Sequence, residues 1–77
     1  MPRRPRVTAR EIIRALERAG FALSRTRGGH HIFKSPDGLR RVTVPYHGSR
    51  VIPPGTVDNI LRQAGITTDE FAELLKR

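Results

Sequence analysis

The hydrophobic period of this chain changes twice, and each change falls at a glycine or a proline. Ala9, Ile12, Ile13, Leu16 and Ala19 recur at helical spacing and make one apolar face. Past Gly20, from Phe21 to Val44, the period becomes two, with Phe21 and Leu23 alternating with Ala22 and Ser24. Pro45 stops the alternation, and Val57, Ile60, Leu61 and Ala64 return to i, i+3, i+4, i+7 spacing. Two helices with one apolar face each and a sheet with one apolar face have few joint solutions. The simplest packs both helices on the same side of the sheet.

Local signals sharpen this order. Thr8 and Glu11 have capping-box spacing, and Gly20 suits a left-handed helix end. Gly28-Gly29 offers positive φ at both positions, as a two-residue hairpin turn wants. In Ser35-Pro36-Asp37-Gly38, Pro36 presets φ and Gly38 is free to turn left-handed. Residues 45–53, rich in glycine and proline, read as a loop carrying Tyr46, His47 and Arg50. Pro54-Gly55-Thr56 precedes the second helix and Gly65 ends it. Thr67 and Glu70 repeat the capping-box spacing before a short third helix with Phe71, Leu74 and Leu75. The class is α+β, in the order α-β-β-β-α(α), with a three-stranded antiparallel sheet covered on one face. Double-stranded-RNA-binding domains share that order, which speaks to fold and not to function.

The alternation also predicts a register. With Gly28-Gly29 as the whole first loop, Arg27 faces His30, Arg25 faces Ile32 and Leu23 faces Lys34. With Pro36 to Gly38 as a three-residue second loop, Ile32 faces Val42 and His30 faces Val44. Phe21, Leu23, Ile32, Val42 and Val44 then form the core face, because a slip of one residue inverts a strand. His30, Arg25 and Arg27 fall on that core-facing side, at the sheet's end. His31 and Phe33 face the other way.

A chain of 77 residues suffices for one small domain. Residues 8–77 are expected to form it, behind a basic, flexible arm at residues 1–7. Such an arm touches phosphates loosely or is an idle tail. A domain of this size buries little surface and leaves no room for a deep cofactor cavity. With no cysteine there is neither disulfide nor thiolate site, which fits a cytoplasmic protein. No apolar run is long enough to cross a bilayer, and the basic N-terminus lacks a signal peptide's apolar core, so no membrane association is expected.

The net charge of +8 favours a polyanionic partner, nucleic acid first. Residues 1–30 carry eight Arg/Lys against two acids, and residues 51–77 carry three against four. The binding face is therefore expected in the first two thirds. Arg10, Arg14 and Arg18 stack at four-residue steps along the first helix, a stripe that follows a phosphate backbone or simply faces solvent. His30 stands between Gly28-Gly29 and Lys34, with Arg27 before the turn. Histidine exchanges a proton near neutrality, and neighbouring cations hold a phosphate. No metal or other cofactor is expected. His30 and His31 are strand neighbours and point to opposite faces, so they cannot easily share an ion with His47.

Four pieces in order resemble the HicA toxin family, small ribonucleases of type II toxin–antitoxin systems. They are Leu16-Glu17-Arg18-Ala19-Gly20-Phe21, Gly28-Gly29-His30-His31-Ile32-Phe33, Pro36-Asp37-Gly38 with Val42-Thr43-Val44-Pro45 and His47, and Pro54-Gly55-Thr56 with Ile60-Leu61 and Ala64-Gly65. The similarity runs from about Thr8 to Leu75. Each piece alone is weak, and the four at these spacings are specific. The Arg-rich residues 1–7 are not part of the pattern. The resemblance implies a double-stranded-RNA-binding-like fold, metal-independent cleavage of mRNA, and neutralisation by a HicB-type antitoxin. It also implies that His30, directly after the glycine pair, is the catalytic residue.

RNA supplies its own nucleophile, the 2′-hydroxyl. Its cleavage needs a proton acceptor, a proton donor and charge stabilisation at phosphorus. On this reading His30 moves the proton and Arg27 and Lys34 contact phosphate. Gly28 and Gly29 let RNA approach the backbone, Arg10 and Arg14 extend the contact, and His47 and Tyr46 are auxiliary candidates. The rivals are a non-catalytic RNA-binding module of the same fold and a basic scaffold for an acidic protein.

Overall fold

A computed structural model describes residues 7–46 and 50–76. The elements run α1 (Ala9–Arg18), β1 (Ala22–Arg27), β2 (His30–Lys34), β3 (Arg41–Pro45), α2 (Pro54–Ala64) and α3 (Thr68–Lys76). The strands form one antiparallel sheet in the order β1-β2-β3. This is the architecture expected from the double change of period.

The helix ends follow their sequence signals. The Thr8 hydroxyl accepts from the Glu11 N–H at 3.3 Å, and the Glu11 carboxylate accepts from the Thr8 N–H at 3.1 Å. This reciprocal box satisfies two donors that a helix start leaves free. At the other end Gly20 takes φ 98, the Gly20 N–H donates to Glu17 and the Phe21 N–H to Leu16. That pair of bonds is a Schellman motif, and it turns the chain directly into β1. Thr67 and Glu70 repeat the box before α3.

The core gathers Val7, Ile12, Leu16 and Phe21 with Phe33, Val42, Val44, Ile52, Ile60, Leu61 and Phe71. Val7, assigned to the arm by sequence, is buried, and its carbonyl accepts from the Ile52 N–H at 2.8 Å. Residues 1–6 of the expected arm lie outside the described residues.

The register corrects part of the expectation. The first hairpin is as expected, with Arg27 opposite His30 and Arg25 opposite Ile32. Positive φ occurs at Gly28 and not at Gly29, the pattern of a II′ turn. The second loop runs from Ser35 to Arg40 and is not the three-residue loop expected. Phe33 therefore faces Val42, His31 faces Val44, and His30 faces Pro45. Local bonds hold the longer loop. The Ser35 hydroxyl accepts from the Arg40 N–H at 3.0 Å, and the Asp37 carboxylate accepts from the Leu39 N–H at 3.0 Å.

One residue of slip exchanges the two faces of β2. Phe33 goes to the helices, where it is 1% exposed, and Ile32 goes to the open side. An aromatic ring at the core position buries more apolar area than isoleucine. Leu23 pairs with Phe33 rather than Lys34, because Ser24 is an extra residue between paired Leu23 and Arg25. This bulge puts Leu23 and Arg25, two apart in sequence, on opposite sides. Leu23 nevertheless stays 51% exposed, since the helices lie mainly against β3 and do not cover β1.

Candidate functional site

The open face of the sheet has three rows, read from the paired residues. The first holds Arg27 and His30, the second Arg25, Ile32 and Thr43, and the third Lys34 and Arg41. Rows alternate with those of the covered face because successive strand residues point to opposite sides. Ser24, Arg25, Arg27, Ile32, Lys34 and Arg41 line one shallow groove of about 200 Å³. All four of its cations are exposed, and none has a carboxylate partner among the described residues. Lys76–Glu73, the ion pair found among those residues, sits far along the chain on α3. Concentrated positive charge without internal neutralisation is an electrostatic footprint for a polyanion.

His30 is exposed at the edge of this face, next to Arg27 and the glycine turn. It shares a side with Arg25 and Arg27, as the alternation requires, but the side is the open one and not the core-facing one. Flanking residues aside, no described residue would come within 4 Å of a methyl group built on Gly28 or Gly29, so the turn itself is uncrowded. The Gly29 carbonyl accepts from the Tyr46 N–H at 2.7 Å, which ties the turn to the end of β3.

His31 is placed differently. It takes the helix side with Val44, is half-buried, and lies against Tyr46 with ring centroids 4.6 Å apart. Its Nδ1 is buried without a hydrogen-bond partner among the described residues. Tyr46 thus meets His31 and not His30, and His47 falls outside the described residues. Arg10 and Arg14 are exposed on α1, in the layer behind the sheet, so they do not join the His30 face. Arg18, the third of that stripe, donates its guanidinium to the Leu74 carbonyl and ties α1 to α3. Among the described residues no group of three His, Cys, Asp or Glu is arranged to hold a metal ion.

Arg25 and Arg41 are the cations of this groove that sequence reasoning does not assign to the site. The first hairpin alone puts Arg25 beside His30. Arg41 is missed through the register slip, which sets it on the face opposite Ile32. Its signal is the alternation Arg41-Val42-Thr43-Val44, whose polar members must share a side.

Fold and face together define a class, a small α+β domain with one sheet face closed by helices and the other given over to a histidine and to cations that have no acid partner among the described residues. Comparison with known families narrows it. The sequence model described as HicA toxin of bacterial toxin-antitoxin matches residues 9–66, which includes every element from α1 to α2. The chain belongs to the HicA toxin family, and its fold is double-stranded-RNA-binding-domain-like. A toxin of such a system has an antitoxin as its partner. No curated protein matches the sequence. Among the described residues no helix is long and apolar enough to cross a membrane.

Proposed function

We propose that this toxin is a metal-independent endoribonuclease that cleaves mRNA in the cytoplasm and is neutralised by a HicB-type antitoxin. The observation that supports it is the position of His30: exposed, beside the Gly28-Gly29 turn, on the sheet face whose cations have no acid partner among the described residues.

The chemistry follows from that placement. RNA laid over the turn brings a ribose 2′-hydroxyl to the imidazole. His30 takes the 2′-proton, the 2′-oxygen attacks phosphorus, and the bond to the 5′-oxygen breaks. A proton must reach that leaving oxygen, from a second group or from water. Arg27 and Lys34 contact phosphate, and Arg27, opposite His30 across the hairpin, stabilises charge gathering on the phosphoryl oxygens. The products are a 2′,3′-cyclic phosphate and a 5′-hydroxyl. Proton transfer by a positioned side chain is worth about 10²–10⁴ in rate. His31 suits this role less well, since its ring is packed against Tyr46 on the other side.

Purified protein should cleave mRNA in the presence of EDTA and leave cyclic-phosphate ends. Intact RNA after that incubation overturns the reading. Induced expression of the wild type should deplete total mRNA and arrest growth, and His30→Ala should not. Retention of growth arrest by His30→Ala leaves a non-catalytic RNA-binding module as the better account.

A further inference from the structure

The groove on the open face begins at Arg27, the residue opposite His30, and continues to Lys34 and Arg41. Lys34 lies four residue steps on from His30 along β2. At about 3.3 Å per residue that is roughly 13 Å, and each row of the open face lies about 6.6 Å from the next. The row spacing is of the order of one nucleotide of an extended strand. The cations stand on both banks of β2, Arg25 and Arg27 on β1 and Arg41 on β3, with Ile32 as an apolar floor between them.

We propose that Arg25, Lys34 and Arg41 form a track for single-stranded RNA, holding the sugar–phosphate chain for about two nucleotides to one side of the bond beside His30. This rests on the ribonuclease reading above and deepens it. It names the substrate as an unpaired strand and assigns Arg25 and Arg41 a role in binding.

Three features carry the choice of a single strand. The distance from β1 to β3 is two strand spacings, roughly 10 Å, the width of one backbone with its ribose. Ile32 offers a surface for a ribose or a base, and a duplex keeps its bases turned inward on one another. A regular duplex also holds its 2′-oxygen away from the line of attack on phosphorus, and a strand lying free in a groove can rotate into it. The Ser24 bulge contributes directly. It lets Leu23 stay with Phe33 on the covered side and puts Arg25 on the track.

The test uses the full chain carrying His30→Ala, so that RNA survives the measurement. Binding to dodecauridylate, alone and annealed to oligoadenylate, is followed as a function of salt. The single strand should bind more tightly than the duplex. For a single strand, each phosphate that a cation ceases to neutralise lowers the slope of log K against log salt by about 0.7, so adding Arg25→Gln and Arg41→Gln should reduce it by about 1.4. Arg62→Gln, an exposed cation on α2, should leave the slope unchanged. In the active chain, Arg25→Gln with Arg41→Gln should raise KM at least tenfold on dodecauridylate and leave cleavage of a dinucleotide unaltered.

An unchanged slope overturns the track. So does an equal reduction with Arg62→Gln, which would show a general charge effect. Duplex binding as tight as single-strand binding, with the same dependence on Arg25 and Arg41, overturns the choice of a single strand. Failure of the ribonuclease reading looks different. The wild type then cleaves nothing, while the salt slopes still report whether RNA lies on these residues. Unchanged thermal melting of the double variant confirms that the two exposed arginines act on RNA and not on folding.

Discussion

The two faces of the sheet are built from the same three strands, one residue apart, and they share almost no chemistry. The covered face carries Phe33, Val42 and Val44 and closes on both main helices. The open face carries His30, Arg25, Arg27, Lys34 and Arg41, and none of these cations has an acid to neutralise it among the described residues. The contrast teaches a division of labour. In a domain this small, the apolar burial that holds the fold has to come largely from one face. The other face is left free for groups that water would otherwise solvate. The comparison makes a simple demand: lesions on one side should damage stability, and lesions on the other should damage chemistry.

The largest effect is expected at Phe33. Truncation to alanine removes a fully buried ring and costs about 3–5 kcal/mol. A chain of 77 residues is expected to have roughly 4–12 kcal/mol in all, so Phe33→Ala should lose a large share of its stability and unfold at a much lower denaturant midpoint. Its neighbour Ile32 faces the groove, and Ile32→Ala should cost about 1 kcal/mol or less. Chemical denaturation of the two variants side by side decides the register. If Ile32→Ala proves the more damaging, β2 is inverted and the groove assignment falls with it.

The histidine pair gives the next test. His30→Ala should lower RNA cleavage by about 10²–10⁴ without moving the melting temperature. His31→Ala should do the reverse, losing about 1 kcal/mol of stability through its packing with Tyr46 while keeping most activity. Cleavage rates and melting curves on the same preparations separate the two. A folded but inactive His31→Ala beside an active His30→Ala would move the chemistry to the other face.

These neighbours also show how much of the molecule is legible in its sequence. Element order, both capping boxes, the left-handed exit at Gly20 and the first hairpin depend on residues a few positions apart, and each is readable. So is the company of His30, Arg25 and Arg27, which needs only a two-residue turn. The second hairpin is not readable. The Pro36-Asp37-Gly38 turn is real but lies inside a longer loop held by the Ser35 and Asp37 side chains. Turn chemistry fixes where a chain reverses and does not fix how many residues pass before pairing resumes. That is settled by which register buries Phe33. Leu23 escapes the core for a related reason. Alternation says which way a side chain points, but whether a helix reaches it depends on tertiary placement.

A smaller effect is expected from the helix layer. Thr8→Ala removes the hydroxyl that accepts from the Glu11 N–H and should cost about 1 kcal/mol. Because α1 lies behind the sheet, the rate of RNA cleavage by the folded fraction should be unchanged. Melting curves together with kcat measured well below the transition check both halves. A fall in kcat of the folded protein would mean that the two layers are not separate and that α1 bears on the chemistry of the open face.

The smallest effect concerns acid. Hydrogen bonds from the Ser35 hydroxyl and the Leu39 N–H hold the Asp37 carboxyl below its ordinary value, and the Thr67 N–H and hydroxyl do the same for Glu70. A folded-state pKa below the unfolded one means that the stabilisation is fully present above the unfolded value. It is lost as pH falls through the folded one. For these two groups the window opens below about pH 4.5 for Glu70 and below about 3.8 for Asp37. Both sit in turns and helix starts, and neither lines the groove. Asp37→Asn with Glu70→Gln should therefore flatten the acid side of the stability profile slightly and leave RNA binding at neutral pH untouched. Melting temperatures taken from pH 6 down to pH 3 read the first half, and dodecauridylate binding reads the second. An acid limb as steep in the double variant as in the parent would show that carboxyls elsewhere carry the loss. A change in RNA binding would show that the second loop reaches the open face, and the separation of the two sides would no longer hold.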